Sequence, residues 1–121
     1  MKQTLATELV CSHSTTTREV MGIDLGDRWS RYCMLDQVGR VVEEDRVRTT
    51  PGALAVKFGA LPATRVVIEV GAHSPWVSRL LQAQGHEVVV ANPRKVRLIY
   101  ESDRKNDRLD ARRLARLGRV M

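Results

Sequence analysis

Apolar and polar positions fall into short, well-separated blocks along this chain. Val20-Met21-Gly22-Ile23-Asp24-Leu25-Gly26 is an apolar run with one carboxylate inside it and a closing glycine, the form of a buried strand. Arg31–Leu35 and Arg40–Val47 are two further strand segments, joined through the hairpin-like turn Asp36-Gln37-Val38-Gly39. Thr50-Pro51 combines an N-cap residue with proline at the first helical position and opens a helix to about Ala60. Val66–Val70 is a β-branched run of strand length. Ser74-Pro75 repeats the cap-plus-proline signal, with Gly85 as the stop for a helix through Gln84. Glu87–Ala91 is another strand, Asn92-Pro93 opens a further helix, residues 101–106 form a polar loop, and Asp107 to about Arg119 is the last helix. Three strands followed by alternating helices and strands predict an α/β fold: a mixed five-stranded sheet with helices on both faces.

Length and composition agree with one small domain. The chain has 121 residues, and its hydrophobic fraction of 43% is too high for a disordered chain. No apolar stretch approaches the length of a membrane span, so no membrane partner is expected. Aromatic residues make up 4%, which argues against a single-strand binder built mainly on stacking. Cys11 and Cys33 have no metal-ligand spacing and are too few for a disulfide scaffold, so a reducing, cytoplasmic setting is expected. Residues 1–18 lack the compact apolar core of a secretory signal and are expected to form a flexible N-terminal tail, with residues 19–121 as the domain.

Charge is distributed unevenly. Residues 1–91 hold ten basic and ten acidic side chains, whereas residues 92–121 hold ten basic and four acidic. The whole net charge of +6 therefore sits in the C-terminal segment, which suits a polyanionic partner as well as a solvated basic helix.

Two carboxylates stand where strands are expected to be buried: Asp24 in the first and Glu69 near the end of Val66–Val70. An uncompensated carboxylate there is expensive. Either acid alone reads as a hydrogen-bonded structural group, but two in one small sheet point to a shared divalent cation. Asp107 and Asp110 follow at i and i+3 on the expected last helix, which makes their side chains neighbours with Cβ atoms about 5–6 Å apart. An acidic first helical turn is a common dipole-favouring feature. On a helical wheel, however, both aspartates share the sector of Ala111, Leu114, Leu117 and Gly118, and Arg108, Arg112, Arg113, Arg116 and Arg119 lie opposite. The wheel therefore predicts that these acids extend the buried stripe toward the sheet. An all-oxygen donor set without Cys or His suits Mg²⁺ or Mn²⁺ and does not suit zinc.

The segments Gly22-Ile23-Asp24-Leu25-Gly26, Ile68-Glu69-Val70-Gly71-Ala72, Asn92-Pro93 and Lys105-Asn106-Asp107-Arg108-Leu109-Asp110-Ala111 occur in this order and spacing. Together they resemble the N-terminal domain of the DEDD insertion-sequence transposases, the group that includes the pilin-gene invertase. The resemblance spans roughly residues 19–119. It implies a fold like that of ribonuclease H and the RuvC junction resolvase, with the acidic tetrad on Asp24, Glu69, Asp107 and Asp110. It further implies Mg²⁺-dependent strand cleavage and transfer on DNA, a structured guide RNA in some members, and a homo-oligomer in the full-length form. Family members continue into a second domain that carries a serine nucleophile, which is expected to be absent from this chain. Arg94, Lys95, Arg97, Arg104 and Lys105, which flank the acids, and Arg112, Arg113 and Arg116 are the candidate phosphate contacts, against the plainer reading of a solvated surface.

Other readings keep part of the pattern. A catalytically inactive nucleic-acid-binding module would keep the basic segment, and a small Holliday-junction-resolvase-like nuclease would fit the length. An actin-type or sugar-kinase-type ATPase shares a GIDLG-like first strand, but Asp27-Arg28-Trp29 stands where such folds carry Ser or Thr, and the chain is far too short. His73, at the mouth of the Glu69 strand, is either a polar loop residue or an aid to proton transfer or phosphate contact. Trp76 is expected to pack the first turn of its helix, and His13 and His86 have no assigned role.

Overall fold

Strand β1 (Val20–Asp24) occupies the middle of the sheet because its residues are apolar on both faces until Asp24. The computed structural model describes residues 19–92 and 110–121. Beyond β1 the order is β2 (Trp29–Leu35), β3 (Val41–Arg48), α1 (Pro51–Gly59), β4 (Arg65–Glu69), α2 (Ser74–Ala83), β5 (Glu87–Ala91) and α3 (Ala111–Val120). The five strands lie side by side as β3-β2-β1-β4-β5. β1, β2 and β3 form an antiparallel meander, whereas β4 and β5 join parallel to β1 through helical crossovers. The expected mixed five-stranded sheet is thus present, and its order is that of a ribonuclease-H-like fold. The further helix expected after Asn92 lies outside the described residues.

Side-chain alternation divides the sheet into two faces. Met21, Ile23, Tyr32, Met34, Val66 and Ile68 point to one face, where Leu54 and Phe58 of α1 and Val77 and Leu81 of α2 close the main core. Tyr32 and Phe58 meet edge-to-face with centroids 5.4 Å apart. Cys33, Leu35, Val67 and Ala91 point to the other face, beneath Ala111, Leu114, Ala115 and Leu117 of α3. Each fully buried leucine of this kind contributes about 2–3 kcal/mol.

Local signals start and stop the helices. Thr50 caps α1 by accepting from the Ala53 amide at 3.2 Å, as the sequence predicts. At α2 the expected cap shifts by one residue, because Ser74 is already helical and its hydroxyl serves the preceding turn. It accepts from Gly71 N–H and donates to Gly71 C=O, so His73 takes the N-cap position without a side-chain bond. Gly85, at φ +94°, ends α2 in a Schellman arrangement, with Gly85 N–H on Gln82 C=O and His86 N–H on Leu81 C=O.

Cys33 is fully buried under α3, and burial pushes its thiol up from 9.0 to about 11. A raised folded-state value favours the neutral thiol in the native protein. Its contribution to stability is therefore complete below about pH 9 and is lost as pH rises toward 11. Urea unfolding between pH 8 and pH 11 is expected to show a steeper alkaline loss in the wild type than in Cys33→Ala; parallel curves would remove this role.

Candidate functional site

Asp24 and Glu69 are the last residues of β1 and β4, the adjacent parallel strands between which the chain order reverses. In open α/β sheets, ligands gather at the carboxyl ends of strands at such a point. The parallel register runs from Val20 opposite Arg65 to Ile23 opposite Ile68. Continued by one residue, it sets Asp24 beside Glu69, and the alternation of the pleat directs both to the face covered by α3. Both are half-buried.

The third acid arrives with α3, which approaches the sheet very closely. A Cβ at Gly22 would overlap the Ala111 carbonyl oxygen and the Ala115 amide nitrogen, and a Cβ at Gly118 would meet Val20 and Val67. Glycine on the strand and Ala111, Ala115 and Gly118 on the helix make that distance accessible. The far end of α3 is fixed by Arg65, whose Nη1 donates to the carbonyls of Gly118 and Met121 at 3.0 Å each.

The start of α3 corrects the expected helix boundary. Asp110 is extended (φ −82°, ψ 174°) and is the N-cap of a helix that begins at Ala111. Its Oδ1 accepts from the Arg113 amide at 2.8 Å. The wheel therefore does not apply to it as an interior helical residue: an aspartate here satisfies an orphan N–H better than another helical turn would. Asp110 nevertheless lines the same cleft as Asp24, a space of about 510 Å³ bounded also by Arg31, Glu44 and Arg112. Asp107 lies outside the described residues, as do Arg94, Lys95, Arg97, Arg104 and Lys105.

The arginines of α3 differ from one another. Arg112 is held bidentate by Glu44 of β3, with Nε to Oε2 at 3.1 Å and Nη2 to Oε1 at 2.9 Å. That pairing holds the Glu44 carboxyl below its usual range and roofs the cleft. Arg113 is half-buried, and Arg116 is exposed.

A second network links the loops that follow Asp24 and Glu69. Trp76 Nε1–H donates to His73 Nδ1 at 3.1 Å, which leaves the ring proton on Nε2, 3.1 Å from Asp27 Oδ1. His73 thus ties the β1–β2 turn to the start of α2, and Trp76 packs against the main core as expected. Sequence reasoning missed the Asp27–His73 and Glu44–Arg112 pairs, because residues 46 and 68 positions apart carry no spacing signal.

The cleft is lined by carboxylates and by no thiol or imidazole, a donor type that suits a hard divalent cation, and Glu69 is not among its lining residues. Among the described residues, no group of three Asp, Glu, His or Cys is close enough to hold a metal ion. Among them, too, no helix is long and apolar enough to cross a membrane.

Strand order and carboxylates at the switch point define a ribonuclease-H-like domain with an acidic site. The family model of the IS110-type DEDD transposases, described as transposase, matches residues 21–121, and the chain belongs to that family. It corresponds to the family's N-terminal domain. No curated protein matches the chain.

Proposed function

We propose that this domain cleaves and transfers DNA phosphodiesters at a Mg²⁺ or Mn²⁺ centre held by Asp24, Glu69, Asp107 and Asp110. The observation that carries this reading is that Asp24 and Glu69 end adjacent parallel strands at the switch point, with Asp110 lining the Asp24 cleft. A divalent ion bound there supplies Lewis-acid polarisation of a phosphoryl oxygen and lowers the pKa of an attacking water or hydroxyl. The chain's own part is positional. β1 and β4 present two carboxylates from rigid strand ends, and Asp110 uses Oδ1 for capping and has Oδ2 for a ligand.

DNA is the partner that family membership implies. In this reading the phosphates are held by Arg94, Lys95, Arg97, Arg104, Lys105, Arg113 and Arg116, with Arg112 committed to Glu44 until a ligand displaces it. A structured guide RNA and self-association belong to the same proposal.

Cleavage of branched and linear DNA by this chain is expected only with Mg²⁺ or Mn²⁺ and is expected to vanish in Asp24→Asn. The ion should also raise the melting temperature, since binding to the folded state alone at a hundred times Kd adds about 2.7 kcal/mol. An equal metal response from Asp24→Asn combined with Asp107→Asn would rule the site out. DNA binding without any cleavage would reduce the domain to a nucleic-acid-binding module.

A further inference from the structure

Beside the acidic cleft lies a basic surface that the C-terminal charge count does not reveal. The antiparallel registers place Asp24 opposite Arg31, and Arg31 opposite Arg46, in one row across β1, β2 and β3. The neighbouring row sets Trp29 opposite Arg48. Directly opposed residues share a face, so both rows lie on the face that α3 covers. α3 packs over Gly22, Cys33 and Leu35 and leaves the Trp29–Arg31 end of the hairpin open. Trp29 is 39% exposed, and Arg31, Arg46 and Arg48 are exposed.

Two guanidinium groups sit over one indole, with the Arg46 Cζ 4.2 Å and the Arg48 Cζ 4.9 Å from the Trp29 ring centroid. Cation–π attraction fixes both cations in place without neutralising them. Among the described residues, Arg40, Arg65 and Arg112 have carboxylate partners, whereas Arg31, Arg46 and Arg48 have none within ion-pair distance. Like charges on neighbouring strand positions repel, so three together favour an anionic ligand. Edge protection by charge accounts for arginines on β3. It does not account for their being stacked on a tryptophan from the adjacent strand.

We propose that Trp29, Arg46 and Arg48, with Arg31, form a DNA-backbone contact surface that leads a phosphodiester strand to Asp24. The inference rests on the reading of this chain as a DNA-cleaving domain and adds to it a surface separate from the C-terminal basic segment. Arg46 and Arg48 are two residues apart on one face, about 6.8 Å along the strand. That spacing suits successive phosphates, and guanidinium groups bind each of them bidentately. Arg31, between Arg46 and Asp24, continues the track into the acidic site.

The test measures binding without cleavage. Fluorescence anisotropy with a labelled short DNA duplex, in Ca²⁺ buffer over a range of KCl, compares the wild type with Arg46→Gln/Arg48→Gln. Losing two phosphate contacts is expected to reduce the slope of log K against log salt by about 1.8. Arg46→Lys/Arg48→Lys should retain most of the slope, and Arg79→Gln, on the exposed side of α2, should leave it unchanged. Circular dichroism checks that each variant is folded. An unchanged slope in the double Gln variant, absence of DNA binding by the wild type, or dependence seen only with an RNA duplex would overturn the proposal. Asp24→Asn should bind with the wild-type slope. A chain that shows the arginine dependence but never cleaves in Mg²⁺ would therefore defeat the nuclease reading alone.

Discussion

Gly22→Val is expected to lift α3 from the sheet and to lower stability by about 3 kcal/mol or more. The Cβ would collide with backbone atoms of Ala111 and Ala115, which have no rotamer through which to yield. Overpacking a core usually costs about 1–3 kcal/mol when side chains can adjust. Here the helix itself has to move, and the burial of Leu114 and Leu117 moves with it. For a domain of this size the change corresponds to a melting-temperature drop of roughly 12 °C or more. Gly52→Ala is the matched control, because a Cβ there meets nothing within 4 Å and alanine favours the helix. Thermal unfolding followed by circular dichroism reads both. A Gly22→Val midpoint within a few degrees of the wild type would mean that α3 does not dock as described. Displacing α3 also carries Asp110 away from Asp24, so under the proposed metal-centre reading a melting-temperature rise with Mg²⁺ is expected in the wild type and not in this variant.

His86→Ala is expected to be comparably damaging, far from the acidic site. His86 is 4% exposed and bridges two backbone groups: Nδ1 accepts from Thr64 N–H at 3.1 Å, and Nε2 donates to Phe58 C=O at 2.8 Å. Removing the ring leaves the Thr64 N–H buried without a partner, at about 1–3 kcal/mol, and takes one bond of about 1 kcal/mol from Phe58 C=O, which still accepts from Leu61 N–H. The total of about 2–4 kcal/mol should appear as a large fall in the urea midpoint. His86→Gln, which keeps a donor and an acceptor, should recover part of it. A loss below about 1 kcal/mol in the alanine variant would show that water replaces the imidazole. The ring joins the end of α1 to the segment entering β4, so it holds the strand that ends in Glu69.

Sequence alone determined the order of the strands and of the helices among the described residues. It did so because the signals are local: apolar and β-branched runs, Pro after Thr or Ser, and glycine after a helix each act over a few residues. The acids Asp24 and Glu69 were legible for the same reason, as charged interruptions of apolar strands. The basic C-terminal segment was legible as composition. Only the tertiary structure decided which strands are neighbours, and so that two acids 45 positions apart close adjacent parallel strands. Only it showed that Asp110 caps α3, because a wheel assumes helical backbone and the extended conformation of Asp110 is set where the chain docks. Only it stacked Arg46 and Arg48 on Trp29, since in sequence these are charges scattered through two strands, and strand pairing is what makes them one surface. Gly22 shows the division most clearly. Its sequence context indicates a buried strand, but the need for glycine comes from a helix almost ninety residues later, whose backbone must pass where a side chain would be.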